Sequence, residues 1–75
     1  QMNKAYIQIC YTYENRGNSS FLPPIAIVEV EAKDGELIKN LVNKAMDKLK
    51  EKHPDKTLYM VDSSYLGHTL EIISF

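Results

Sequence analysis

Glu36-Leu37-Ile38-Lys39-Asn40-Leu41-Val42-Asn43-Lys44-Ala45-Met46-Asp47-Lys48-Leu49-Lys50-Glu51-Lys52 is the stretch on which the fold turns. Leu37, Ile38, Leu41, Val42, Ala45, Met46 and Leu49 recur at spacings of one, three and four, an apolar stripe at helical period. Lys39, Asn40, Asn43, Lys44, Asp47, Lys48 and Glu51 cover the opposite side. The pattern predicts a helix from about Gly35 to Lys52. Asp34 stands where it would accept from the free amides of the first turn, and Pro54 stops the helix by forcing His53 out of helical geometry. Asp34 and Glu36 at the start, with Lys48, Lys50, Lys52 and His53 at the end, suit the helix dipole.

Upstream of the helix the period changes to two. Ala5, Ile7, Ile9, Tyr11 and Tyr13 alternate with Tyr6, Gln8, Cys10 and Thr12, which predicts a first strand over Ala5–Tyr13. Residues 14–24 form a loop of turn formers closed by Phe21-Leu22-Pro23-Pro24. Ile25–Ala32 is rich in β-branched residues and alternates again, a second strand pairing antiparallel with the first. Downstream, Thr57–Asp62 and Thr69–Phe75 read as third and fourth strands joined through Ser63–His68, a turn centred on Gly67. The whole of residues 1–75 is then one ββαββ domain of α+β class: one helix packed in two layers on a four-stranded mixed sheet of order 2-1-4-3. This order of elements resembles the β-grasp arrangement of small immunoglobulin-binding domains and ubiquitin-like proteins, over nearly the whole chain and at the level of topology. The resemblance implies the shape alone. The chain ends Ile73-Ser74-Phe75 without a diglycine, so conjugation and sulfur-carrier chemistry are not implied.

Composition bounds the function. Seventy-five residues leave room for one small core, and 44% hydrophobic with 25% charged residues is an ordinary globular balance. Nine Lys+Arg against ten Asp+Glu give a formal net charge of −1, without the basic excess that non-specific phosphate binding requires. The lone Cys10 cannot form an internal disulfide, which points to a reducing, cytoplasmic setting. The longest apolar run, Ile25-Ala26-Ile27-Val28, is far shorter than a membrane span, and no membrane association is expected. Gln1 ahead of Met2 reads as an added residue, with Met2 the expected start. Lysine far outnumbers arginine, and Ile and Asn are plentiful, which suggests an AT-rich coding sequence of bacterial or phage origin.

Chemistry-bearing residues are few: Cys10, His53, Asp62, Ser63, Ser64 and His68. The cluster Asp62, Ser63, Ser64 and His68 lies close together in one segment, whereas a nucleophilic serine needs a base and an oxyanion hole brought from separate elements. No catalytic role is assigned. One cysteine and two distant histidines do not make a metal site, and Gly17, Gly35 and Gly67 are too scattered for a phosphate loop, so no cofactor is expected.

The faces of the sheet carry the functional expectation. Ala5, Ile7, Ile9, Tyr11, Ala26, Val28, Val30, Leu58, Met60, Leu70 and Ile72 form a face for the helix. The other face carries Tyr6, Ile25, Ile27, Tyr59, Val61, Ile73 and Phe75, more apolar surface than a free face usually shows. Phe21 and Leu22 in the first loop either cap the core or make a second contact tip. The expected function is a non-enzymatic protein-binding module, an inhibitor or adaptor, acting through that face or pairing with itself as a homodimer. The alternative is a single-stranded nucleic-acid binder stacking bases on Tyr6, Tyr59 and Phe75. Glu29, Glu31 and Glu71 on the same face, and a single arginine, Arg16, weigh against it.

Overall fold

A computed structural model describes residues 2–14 and 23–74 of the chain. The described elements are β1 (Met2–Tyr13), β2 (Ile25–Lys33), α1 (Ile38–Lys52) and β3 (Leu58–Gly67). The class is α+β, with one helix on a three-stranded antiparallel sheet of order β2-β1-β3. β1 is the longest strand and lies in the middle, pairing Ile7 with Val28 on one side and Tyr65 on the other. Both neighbours run antiparallel to β1, so β2 and β3 are co-directional and α1 is the crossover between them.

The chain after α1 departs from the sequence expectation. The Asp62-Ser63-Ser64 stretch does not turn: β3 continues through it to Gly67, and Thr69–Ser74 forms no strand. The sheet is therefore neither four-stranded nor mixed among the described residues, and the order 2-1-4-3 does not occur. The physical reason lies in the register of β3 on β1. It skips a residue at Val61 and again at Leu66, two bulges that let polar residues stay on the ladder. At the first bulge the Asp62 carboxylate accepts from the Ser63 N–H at 2.8 Å, a local bond of the kind that would otherwise start a turn. The chain leaves the ladder at Gly67, whose φ of +94° a residue with a Cβ adopts only under strain.

The helix starts later than predicted. Its N-cap position is Leu37, without a side-chain cap, and Asp34 lies in the preceding turn, accepting from Asn3 Nδ2 at 3.4 Å. Glu36 takes over the organising role. Its N–H donates to the Lys33 carbonyl and its carboxylate accepts from the Lys33 N–H, both at 3.0 Å, while the Lys44 ammonium sits 2.8 Å from the same carboxylate. These donors hold the Glu36 carboxyl below the ordinary carboxylate range, the Lys33 N–H contributing most and Lys44 next.

Leu41, Ala45 and Leu49 are the buried helical residues, one turn apart on the stripe the sequence marks. They close on Ala5, Ile7, Ile9, Val30, Ala32 and Leu58 to form the core. The inward register of β1 and β2 is the one alternation predicts. α1 leans toward β2, so Met60 and Tyr65, on the helix side of β3, stay exposed together with Leu37 and Ile38 at the helix start.

Candidate interaction surface

On the helix-free face the pairing register sets out rows across the three strands. Glu29, Tyr6 and Gly67 form one, Ile27, Gln8 and Ser64 the next, then Ile25, Cys10 and Asp62, with Thr12 beside Tyr59 at the far end. Four of the predicted contact residues, Tyr6, Ile25, Ile27 and Tyr59, lie on this face. Ile25 is 60% and Ile27 44% exposed, two neighbours on one strand whose apolar surface nothing among the described residues covers.

The other predicted contacts fall elsewhere. Val61 is the extra residue of the first bulge, and beyond it Asp62 and Ser64 take the open-face positions, so that Ser63 and Tyr65 pass to the helix side. Polar side chains therefore interrupt the apolar patch on the β3 side. Ile73 is exposed but belongs to the segment after β3, off the sheet. Phe21, Leu22 and Phe75 lie outside the described residues.

Both aromatic residues of this face among the described residues are tied to carboxylates. The Tyr6 hydroxyl donates to Glu29 Oε1 at 3.0 Å, with Lys4 Nζ at 3.8 Å from the same oxygen, and the Tyr59 hydroxyl donates to Glu14 Oε1 at 3.1 Å. Each carboxylate raises the pKa of the phenol that donates to it, because losing that proton would set two negative charges side by side. A phosphate-bearing strand laid over these rings would meet the same carboxylates.

The residues singled out for catalysis are dispersed. Ser63 and Ser64 point to opposite faces by their pairing, and Cys10 stands opposite Asp62 and Ile25. His68 Nδ1 lies 2.8 Å from the Lys4 carbonyl, which can only accept, so Nδ1 carries the proton. In the neutral ring Nε2 is then the acceptor for the Tyr65 hydroxyl at 3.0 Å. Both ring nitrogens are thus engaged in tying the end of β3 to β1. Asn3, Asp34, Ile38, Leu41, Tyr65 and His68 share a small cleft of about 220 Å³ beside this junction.

One feature of the surface went unread in the sequence. β2 is an edge strand, and its even-numbered residues face the β1 ladder, as the Tyr11 N–H to Pro24 carbonyl bond at 3.1 Å shows. The odd-numbered residues turn their backbone groups outward. Lys44 Nζ donates to the Glu31 carbonyl at 3.0 Å and Lys48 Nζ to the Glu29 carbonyl at 2.8 Å, so the helix caps this part of the edge. The capping stops at Glu29. Beyond it a groove of about 840 Å³ opens between β2 and the end of α1, floored by Tyr11, Ala26, Val28 and Leu49 and rimmed by charges of both signs, Glu29, Lys48, Glu51 and Lys52, with His53. Residues such as Ala26 and Val28 read as core, which by register they are; what exposes them to the groove is the position of the helix.

Comparison with known protein families, curated proteins and solved structures finds no match to this chain. No described helix is long and apolar enough to cross a membrane.

Proposed function

We propose that the chain is a non-enzymatic protein-binding module, of the inhibitor or adaptor kind, that works through the β2 side of its open sheet face. The observation that carries this reading is the exposed pair Ile25 and Ile27, side by side on the edge strand and flanked by the apolar groove. Adjacent large apolar side chains on a sheet surface mark contact sites more often than isolated ones do. Self-association is one form of the same function, and the free thiol of Cys10 suits a reducing, cytoplasmic setting. Protein is favoured over nucleic acid as partner because Glu29 and Asp62 lie in the rows that contain Tyr6 and Cys10.

The test is capture by immobilised protein, scored both for soluble copies of the chain and for proteins of its source cell. Ile25→Lys combined with Ile27→Lys should abolish capture while the far-UV circular dichroism is retained. Capture unchanged in that variant, or no capture by the wild type, overturns the reading.

A further inference from the structure

We infer that the open end of the β2 edge, at Ile25–Val28, is a strand-addition site whose occupant is the Thr69–Ser74 segment of a second copy of this chain. The inference deepens the protein-binding reading above and rests on it, by naming the partner and the groups that meet.

The sheet has two edges, β2 and β3. Along β3 the two bulges at Val61 and Leu66 break the regular spacing that a flat incoming strand would need. Along β2 the lysines of α1 occupy the outward carbonyls of Glu31 and Glu29. Ile25 and Ile27 follow in the same outward phase, and nothing among the described residues bonds their outward N–H and C=O groups. Lys52, one turn beyond Lys48, lines the groove but makes no bond to the Ile27 carbonyl. Unsatisfied, ladder-ready backbone beside an apolar groove is the setting in which a peptide adds as a new strand.

Thr69-Leu70-Glu71-Ile72-Ile73-Ser74 has the β-branched, alternating composition of a strand, yet it is unpaired, and Ile72 is 78% exposed. Laid against the edge, Leu70 and Ile72 would fall on the helix side, over Ala26, Val28 and Leu49. Glu71 and Ile73 would fall on the other side, extending the Ile25 and Ile27 surface.

The His68 bond to Lys4 releases the segment at the Lys4 end of the sheet, where Lys4 pairs with Glu31. To arrive beside Ile27 of its own chain it must travel about 14 Å along the strands and about 14 Å across three inter-strand spacings, some 20 Å in all. Six extended residues span about 20 Å, so the segment would be used up in getting there. A second copy has no such tether, and two copies can exchange the segment reciprocally about a two-fold axis.

The experiment uses the full chain. Sedimentation should show a dimer at micromolar to millimolar protein, and Ile72→Lys should weaken it by about thirtyfold or more, the cost of removing one large buried apolar side chain. Because Ile72 is exposed in the single chain, that variant keeps its circular dichroism. Ile27→Pro should act likewise, since it deletes an outward N–H and leaves the β1 ladder intact. Amide exchange gives the residue-level readout: the Ile25 and Ile27 amides should be protected in the dimer and exchange freely in Ile72→Lys. A monomeric wild type overturns the inference, and the protein-binding reading then stands or falls on capture of another protein. A dimer that ignores Ile72→Lys, or leaves those two amides unprotected, overturns it while self-association stands.

Discussion

Replacing Leu41 by alanine tests the arrangement on which every surface described above depends. Leu41 is 3% exposed, one turn before Ala45 and two before Leu49 in the stripe that meets the sheet. The change removes three carbon atoms, worth about 2.4 kcal/mol at roughly 0.8 kcal/mol per methylene. A residual void adds about 24 cal/mol per Å³, but here that addition is small. Leu41 itself lines the cleft of about 220 Å³ shared with Tyr65 and Ile38, so the vacated space opens to solvent instead of closing as a cavity. The expected loss is about 2.5–3.5 kcal/mol, against a total of roughly 3–5 kcal/mol for a core of this size. The thermal midpoint should fall by roughly 10–25 °C. Leu37→Ala is the matched control: the sequence places both leucines on one stripe, yet Leu37 is 66% exposed and its loss should stay within about 0.5 kcal/mol. Urea unfolding followed by far-UV circular dichroism measures both. A loss below about 1 kcal/mol for Leu41→Ala, or equal losses for the two variants, would refute the placement of α1.

Two further outcomes follow from the polar contacts. The folded chain holds the Glu36 carboxyl below its ordinary value, so the stability this provides is present above the unfolded pKa of about 4.3 and is lost as pH falls through the lower folded value; Glu36→Gln should flatten that acid limb in a pH series of urea midpoints. Lys44 and Lys48 cap outward carbonyls of β2, so Lys44→Ala with Lys48→Ala should lengthen the free edge and raise concentration-dependent light scattering. Scattering equal to wild type in a folded double variant would count against edge capping.

How much of this was legible in the sequence depends on the element. The helix and the inward register of β1 and β2 were, because an apolar residue every second or every third to fourth position leaves one solution for each segment. β3 was not. Asp62-Ser63-Ser64 has the composition of a turn, and the alternation around it fails to continue, so two short strands look better than one long strand. The bulges at Val61 and Leu66 resolve this by spending one residue each to keep the rest on the ladder. The same bulges moved the open-face assignment: alternation places Val61 there, whereas Asp62 and Ser64 hold the positions opposite Cys10 and Gln8. The fourth strand failed for the complementary reason. Its composition is strand-like, but β1 already has both partners, and no edge within reach of Thr69 offers a regular ladder.

The lysines of α1 show why the interaction surface was harder to read than the fold. In the sequence Lys44 and Lys48 belong to the solvated side of an amphipathic helix, a reading that lysine at such positions usually deserves. Their second role appears only when the helix is set against β2. Four residues of helix advance about 6.0 Å, and two residues of antiparallel strand about 6.8 Å. Lysines four apart can therefore each meet an outward carbonyl two apart on the strand, in reverse order: Lys44 on Glu31 and Lys48 on Glu29. The mismatch of roughly 0.8 Å per step is small beside the length of a lysine side chain, so both contacts can form at once. At the third step, where Lys52 would meet Ile27, no such bond is made, and the groove over Ala26 and Val28 lies beside that position. The boundary between the protected and the available halves of this edge thus falls between the second and the third of these lysines, a position that only the docked helix reveals.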